Sequence, residues 1–200
     1  MSDDKIRALE MQIYDLGQEL HRLRTAQAPR EIPNYSFQTL EGSTSLLDLF
    51  GKQDKLLLIH NMGQGCRYCT LWADGINAFL PHLETAMSVV LVSRDEPALQ
   101  RRLANERGWR FRMASHGGGD YIREQTSEPG QGNAPGAAAY QRDGDRILKL
   151  GSSSFGPGDQ YCSLWHFLSL AGIGNEEWTP QYQYWKRPQQ MDDGGANLVD

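Results

Sequence analysis

Lys55-Leu56-Leu57-Leu58-Ile59-His60-Asn61-Met62-Gly63-Gln64-Gly65-Cys66-Arg67-Tyr68-Cys69 decides how this chain is read. The unbroken aliphatic run Leu56–Ile59 is that of a strand covered on both faces. The glycines of Asn61–Gly65 then turn the chain into a loop. Beyond the cysteines, Leu71, Trp72, Ile76, Phe79, Leu80 and Leu83 fall near one face of a helix, which Pro81 should kink or end. A strand, a short loop and a C-x-x-C pair opening a helix is an arrangement that makes thiols reactive. Unpaired N–H groups and a partial positive charge at a helix N-terminus both favour thiolate over thiol. Spaced in this way, the second sulfur reaches the first within one helical turn, so an intramolecular disulfide can form and break.

Working outward, Ser88–Ser93 is a second buried strand, and Pro97 to Arg107 a helix that Gly108 can close. Trp109, Phe111 and Met113 alternate with arginines, as in an edge strand or extended segment. Ser115–Gly119 is a loop, Asp120–Gln125 a short helix, and Ser127–Gly136 irregular. Ala137–Gln141 and Arg146–Leu150 flank Asp143-Gly144, a strong hairpin signal. Gln160–Ala171 is a final helix. Upstream, Ala28–Pro33 is a linker, Tyr35–Leu40 a strand, Glu41-Gly42 a turn, and Ser45–Gly51 one helical turn. A β-α-β unit followed by an antiparallel hairpin makes an α/β fold, a mixed sheet flanked by helices. Trp178, Tyr182, Tyr184 and Trp185 are expected to pack back onto the domain.

Residues 1–27 form an N-terminal helical extension to a domain spanning 30–186. Ile6, Leu9, Ile13, Leu16, Leu20 and Leu23 recur at alternating steps of three and four, an a/d seam over nearly three heptads. The seam packs either on its own domain or on a second subunit, which would make a homodimer. Residues 187–200 have almost nothing to bury and are expected to be a disordered tail.

The 200 residues carry a net charge of −5, with no basic surplus that would point to nucleic acid. No apolar run is long enough to span a bilayer, and the acidic start Met1-Ser2-Asp3-Asp4 is unlike a secretory signal. Three cysteines do not suggest a secreted disulfide scaffold, so a reducing cytoplasm is the expected compartment.

The layout resembles the thioredoxin superfamily, with Phe37–Gly42 and Leu46 through Leu58 similar to its peroxiredoxin and thiol–disulfide reductase branch. More narrowly, it resembles the thioredoxin-like proteins grouped as domain of unknown function 899. The residues that carry this are Gly65–Cys69, Leu71–Gly75, Pro81-His82-Leu83, Val92-Ser93-Arg94, Arg107-Gly108-Trp109 and Arg142–Asp145. The resemblance implies a thioredoxin-like fold and says little about substrate. Peroxiredoxins carry Pro-x-x-x-Thr-x-x-Cys; here Asn61–Gly65 supply neither the proline nor the threonine before Cys66. Thioredoxins set a cis-proline opposite the disulfide, and Pro135 is the candidate for that place; the alternative, and the preferred reading, is a trans-proline in an ordinary loop. In such folds a buried aspartate near the thiols can relay protons, so Asp74 beside Trp72 has either that role or an exposed capping or surface one.

Cys66 is the candidate nucleophile and Cys69 the resolving thiol. Arg94 follows a strand expected to lie parallel to Lys55–His60, which puts it at the Cys66 edge of the sheet, in a site role or a surface ion pair. His60 either tunes the thiolate or bonds to backbone. Cys162 and His166, four apart on one helix, would complete a zinc site with Cys66 and Cys69 if that helix reached them; the reading preferred is no metal and no cofactor. The expected activity is thiol–disulfide exchange between protein or small-molecule disulfides and a thiol reductant. The alternatives are a thiol peroxidase and a non-catalytic binding or dimerisation module.

Overall fold

The computed structural model describes residues 2–126 and 132–181. Its elements in chain order are α1 (Ser2–Ala26), β1 (Arg30–Ile32), β2 (Ser36–Thr39), β3 (Gly42–Ser45), α2 (Leu46–Leu49), β4 (Lys55–His60), α3 (Arg67–Leu83), β5 (Ser88–Ser93), α4 (Pro97–Arg107), β6 (Arg112–Ser115), α5 (Asp120–Gln125), β7 (Gly136–Asp143), β8 (Arg146–Ser154) and α6 (Leu164–Leu170). The strands form one sheet in the order β1-β8-β7-β4-β5-β6-β2-β3. β4, β5 and β6 run parallel, joined by α3 and α4, whereas β7 lies antiparallel to β4 and folds back onto β8. This is the thioredoxin-like mixed sheet with flanking helices and an added N-terminal helix.

The pleat divides the core. Leu56, Leu58, Val90, Val92, Ala138 and Tyr140 face α2 and α5, packed with Phe37, Phe50 and Ile122. Leu57, Ile59, Val89 and Leu91 face α3, α4 and α6, packed with Trp72, Ala73, Trp109 and Trp165. Burial of each such aliphatic side chain contributes about 1.5–3 kcal/mol, which is why the central strands carry aliphatic residues at both parities. Trp178 packs back as expected, its ring 6.0 Å from that of Trp165; Tyr182, Tyr184, Trp185 and the tail expected at 187–200 lie outside the described residues.

Five elements differ from expectation. Arg30–Ile32, expected as linker, is an edge strand on β8, with only Ile32 buried. Gly42–Ser45 is a strand paired to β2, although no apolar residue marks it. Trp109 and Phe111 are buried but lie before β6, and β6 runs inside the sheet between β5 and β2 rather than at an edge. Trp109 Nε1 donates to Asp74 at 2.7 Å and the Arg110 N–H to Asn77 at 2.8 Å, pinning that segment to α3 instead. The last helix starts at Leu164 because the Asp159 carboxylate accepts the N–H groups of Gly156, Tyr161 and Cys162, holding 156–162 in a turn. Pro81 does not end α3, which runs on to Leu83.

Candidate active site

The parallel strands β4, β5 and β6 end at one edge of the sheet, and the loop after β4 carries the cysteines to it. The Asn61 N–H extends the β4–β5 ladder by bonding to Val92 at 2.9 Å. The Asn61 side chain then organises the loop. Its Oδ1 accepts the Gly63 N–H at 2.7 Å, and its Nδ2 donates to the Cys69 carbonyl at 3.3 Å. Asp95, just past β5, accepts the Gln64 N–H at 2.8 Å. Gly63 has φ +106°, and a Cβ there would stand 2.7 Å from the Asp95 carboxylate, so glycine is required on both counts. The Cys66 N–H closes the turn onto the Gly63 carbonyl at 3.0 Å.

Cys66 is the N-cap of α3. Its sulfur accepts the Cys69 N–H at 3.1 Å, the place that serine or aspartate oxygen takes in an ordinary cap. Hydrogen bonding from the Cys69 side chain and from the Cys69 and Tyr68 N–H groups outweighs desolvation and lowers the Cys66 pKa from 9.0 to about 6. At neutral pH the thiolate form of Cys66 is therefore favoured over the thiol. Cys69 is 3% exposed, while Cys66 is half-buried; both are free thiols. The hydrogen bond to Cys66 and burial drive the Cys69 pKa far upward, and the Met62 N–H, 3.4 Å from its sulfur, acts in the opposite sense. One thiol is ionised and reachable; the other is protonated, enclosed and hydrogen-bonded to it.

The other candidates divide. His60 does not tune the thiolate. Its pleat parity turns it to the face opposite α3, where Nε2 meets the Tyr121 hydroxyl at 2.6 Å and Nδ1 has no partner. Burial, with His116 and Lys149 nearby, lowers its pKa from 6.5 to about 3. Asp74 is held by Arg107 and by Trp109 Nε1, a bridge between α3 and the end of α4. Trp72 is core behind the pair, against Tyr68, Phe155 and Trp165. Arg94 lies at the expected edge, but its guanidinium rests on Gly118 and bears on His116. Pro135 immediately precedes Gly136, which pairs with His60, so it stands at the thiol edge; its peptide bond is trans, as in an ordinary loop and unlike the cis-proline of thioredoxins. Its neighbour Asn133 donates to the Met62 carbonyl at 3.4 Å, tying that segment to the thiol loop.

Cys162 precedes α6 and is buried, while His166 on α6 is exposed, so the chelating pair on one helix face does not form. Among the described residues no three His, Cys, Asp or Glu side chains are grouped to hold a metal ion. A cleft of about 550 Å³ bordered by Arg24, Lys55, Leu57, Ala139 and Tyr161 is separate from the thiols. No helix among the described residues is long and apolar enough to cross a membrane. Asn61, Met62 and Asp95 were missed in the sequence. The only signal for them was position: two directly follow β4 and one nearly follows β5, at the edge where the cysteines arrive.

A family profile described as "Bacterial protein of unknown function (DUF899)" matches residues 6–191. No curated protein matches the sequence. Among solved structures the fold is similar to reduced Prx3 from Vibrio vulnificus, at 14% identity and TM-score 0.51 over 72% of this chain and 98% of that one. Peroxiredoxin Q from Xanthomonas campestris also matches, at 17% identity and TM-score 0.48 over 68% of this chain and 87% of that one. Likeness at such identity bears on the fold alone.

Proposed function

The chain belongs to the family of bacterial proteins of unknown function DUF899, and from that premise, which assigns no activity, we propose that it is a thioredoxin-like thiol–disulfide oxidoreductase acting through Cys66 and Cys69. The observation that carries the reading is the asymmetry of the pair: a half-buried N-cap thiolate with a pKa of about 6 beside an enclosed thiol whose pKa is raised. Cys66 thiolate attacks one sulfur of a protein or small-molecule disulfide. A mixed disulfide forms on Cys66 and the other substrate sulfur leaves as thiolate. That step consumes the thiolate to which the Cys69 thiol is hydrogen-bonded, and with it the main cause of the raised Cys69 pKa. Cys69 then loses its proton to solvent, its sulfur still receiving the Met62 N–H, and attacks Cys66. The second substrate thiolate leaves, and an external thiol reductant returns the 66–69 disulfide to the dithiol.

The same thiolate can displace alkoxide or hydroxide from a peroxide, leaving Cys66 as sulfenic acid for Cys69 to condense with. The position three before Cys66, where peroxiredoxins place a threonine hydroxyl, is Gly63. Its φ of +106° strains any side chain there, and a Cβ would have to displace the Asp95 carboxylate that holds the Gln64 N–H. Dithiol exchange is accordingly preferred.

Reduction of insulin or a small aromatic disulfide in the presence of dithiothreitol tests the reading. The native chain should accelerate it, Cys66→Ser should fall to background, and Cys69→Ser should accumulate a mixed disulfide. Exchange that survives Cys66→Ser defeats the proposal. Peroxide consumption with no disulfide reduction would favour the peroxidase.

A further inference from the structure

α1 is a 25-residue helix about 37 Å long that stands off its own domain. Its C-terminal turn touches the domain through Arg24, which donates to the Tyr161 hydroxyl at 2.9 Å. Along the seam, Ile6, Leu9, Ile13, Leu16 and Leu23 remain between 49% and 69% exposed, and Leu20 alone is partly covered. The domain therefore does not accept this seam, and a lone helix of this length is marginal in water. Something of matching period must cover it.

We propose that α1 pairs with α1 of a second copy of this chain as a parallel two-stranded coiled coil. The heptad places Ile6, Ile13 and Leu20 at a, and Leu9, Leu16 and Leu23 at d. Isoleucine at a with leucine at d is the core that favours two parallel strands. The flanking charges fit self-pairing in that orientation. Lys5 at g meets Glu10 at e of the second copy, and Glu19 at g meets Arg24 at e of the second copy. Each contact occurs twice by symmetry, so the dimer gains four opposite-charge pairs, and the remaining g–e contact, Gln12 to Gly17, is neutral. A parallel pair brings both C-terminal ends of α1 together, so the two domains stand at the same end of the coil, on a linkage independent of the thiol chemistry.

Light scattering coupled to size exclusion on the full chain, with sedimentation equilibrium for affinity, tests this. The native chain should run as a dimer. Leu16→Asp should be monomeric while keeping its near-ultraviolet dichroism and Cys66 alkylation rate, because the seam makes no core of the domain. Lys5→Glu sets two like-charge contacts in place of two attractive ones and should weaken the dimer about tenfold. Adding Glu10→Lys should restore native affinity. A monomeric native chain, or a Leu16→Asp dimer, overturns the proposal. So does a double charge swap that fails to restore affinity, because in an antiparallel pair e meets e and g meets g, and the swap then compounds the repulsion.

Discussion

At the edge where β4 ends, the chain presents His60 to one face of the sheet and, after a short loop, Cys66 and Cys69 to the other. On the first face His60, Tyr121 and Tyr140 form a buried hydrogen-bonded chain, with Tyr35 and Gln125 bonded beside it. Burial holds His60 and His116 neutral, with pKa values of about 3 and 4, and raises those of the tyrosines. On the second face a helix N-terminus and a neighbouring thiol favour the charged form of Cys66, lowering its pKa to about 6. Both environments shift pKa values by units, yet only one yields a charged group at neutral pH. Burial alone silences a titratable group, whereas burial combined with directed N–H donors activates it. A perturbed pKa is thus not in itself a mark of function, and the sign of the shift relative to the charged form is what separates the two faces.

The largest effect expected across this comparison is chemical. Cys66→Ser should abolish disulfide exchange, whereas His60→Gln should leave the alkylation rate of Cys66 unchanged at pH 7, measured with iodoacetamide. A large change in that rate on substituting His60 would mean that the faces communicate. Next comes the support of the thiol helix. Asp74→Ala strips Arg107, whose side chain is 4% exposed, of its carboxylate and Trp109 Nε1 of its acceptor. A loss of about 3 kcal/mol in urea unfolding is expected, with exchange intact in the folded fraction.

pH separates the faces further. His60 and His116 have folded pKa values below their unfolded 6.5, so their contribution to stability is complete above 6.5 and is lost as pH falls toward 4 and 3. The slope is at most about 1.4 kcal/mol per pH unit for each. Cys66, lowered from 9.0, follows the same sign in a higher window, its contribution present above 9 and lost as pH falls through about 6. Denaturant titrations between pH 7.5 and 4.5 should therefore show falling stability that a His116→Asn variant flattens; equal slopes in both proteins would contradict the buried-histidine reading. The smallest effect is Tyr121→Phe, which removes the hydroxyl between His60 and Tyr140 and should cost about 1–2 kcal/mol without altering Cys66 reactivity.

What was legible in the sequence follows from the same physics. The aliphatic runs of β4 and β5, the glycine closing α4, the Asp143-Gly144 turn and the C-x-x-C pair each carry a local signal, and each lies where expected. β1 and β3 carry none, because short edge strands draw their pairing from a neighbour rather than from their own side chains. Which face His60 takes was not legible for a related reason. Lys55–His60 is apolar at both parities, so no alternation shows which side its last residue takes. Arg94 was placed at the correct edge by topology, but the direction of its side chain is set by Gly118, on a loop remote in sequence. Resemblance drew attention to Pro135 as a candidate for the thioredoxin cis-proline, and its trans bond follows the ordinary-loop alternative. Of the supports of the site, Met62 acts through its backbone N–H, which any residue type can offer, while Asn61 and Asp95 use a side-chain amide and a carboxylate on backbone groups of the thiol loop and helix, contacts that no sequence spacing announces.

The direct test of the central claim is the Cys66 pKa in the reduced protein, read from thiolate absorbance near 240 nm and from the pH dependence of alkylation, with Cys66→Ser as the blank. A single transition near pH 6 that Cys66→Ser removes, with Cys69 silent through pH 9, is the predicted result. A transition near 8.5–9 for Cys66, or two thiols ionising together there, would contradict the account.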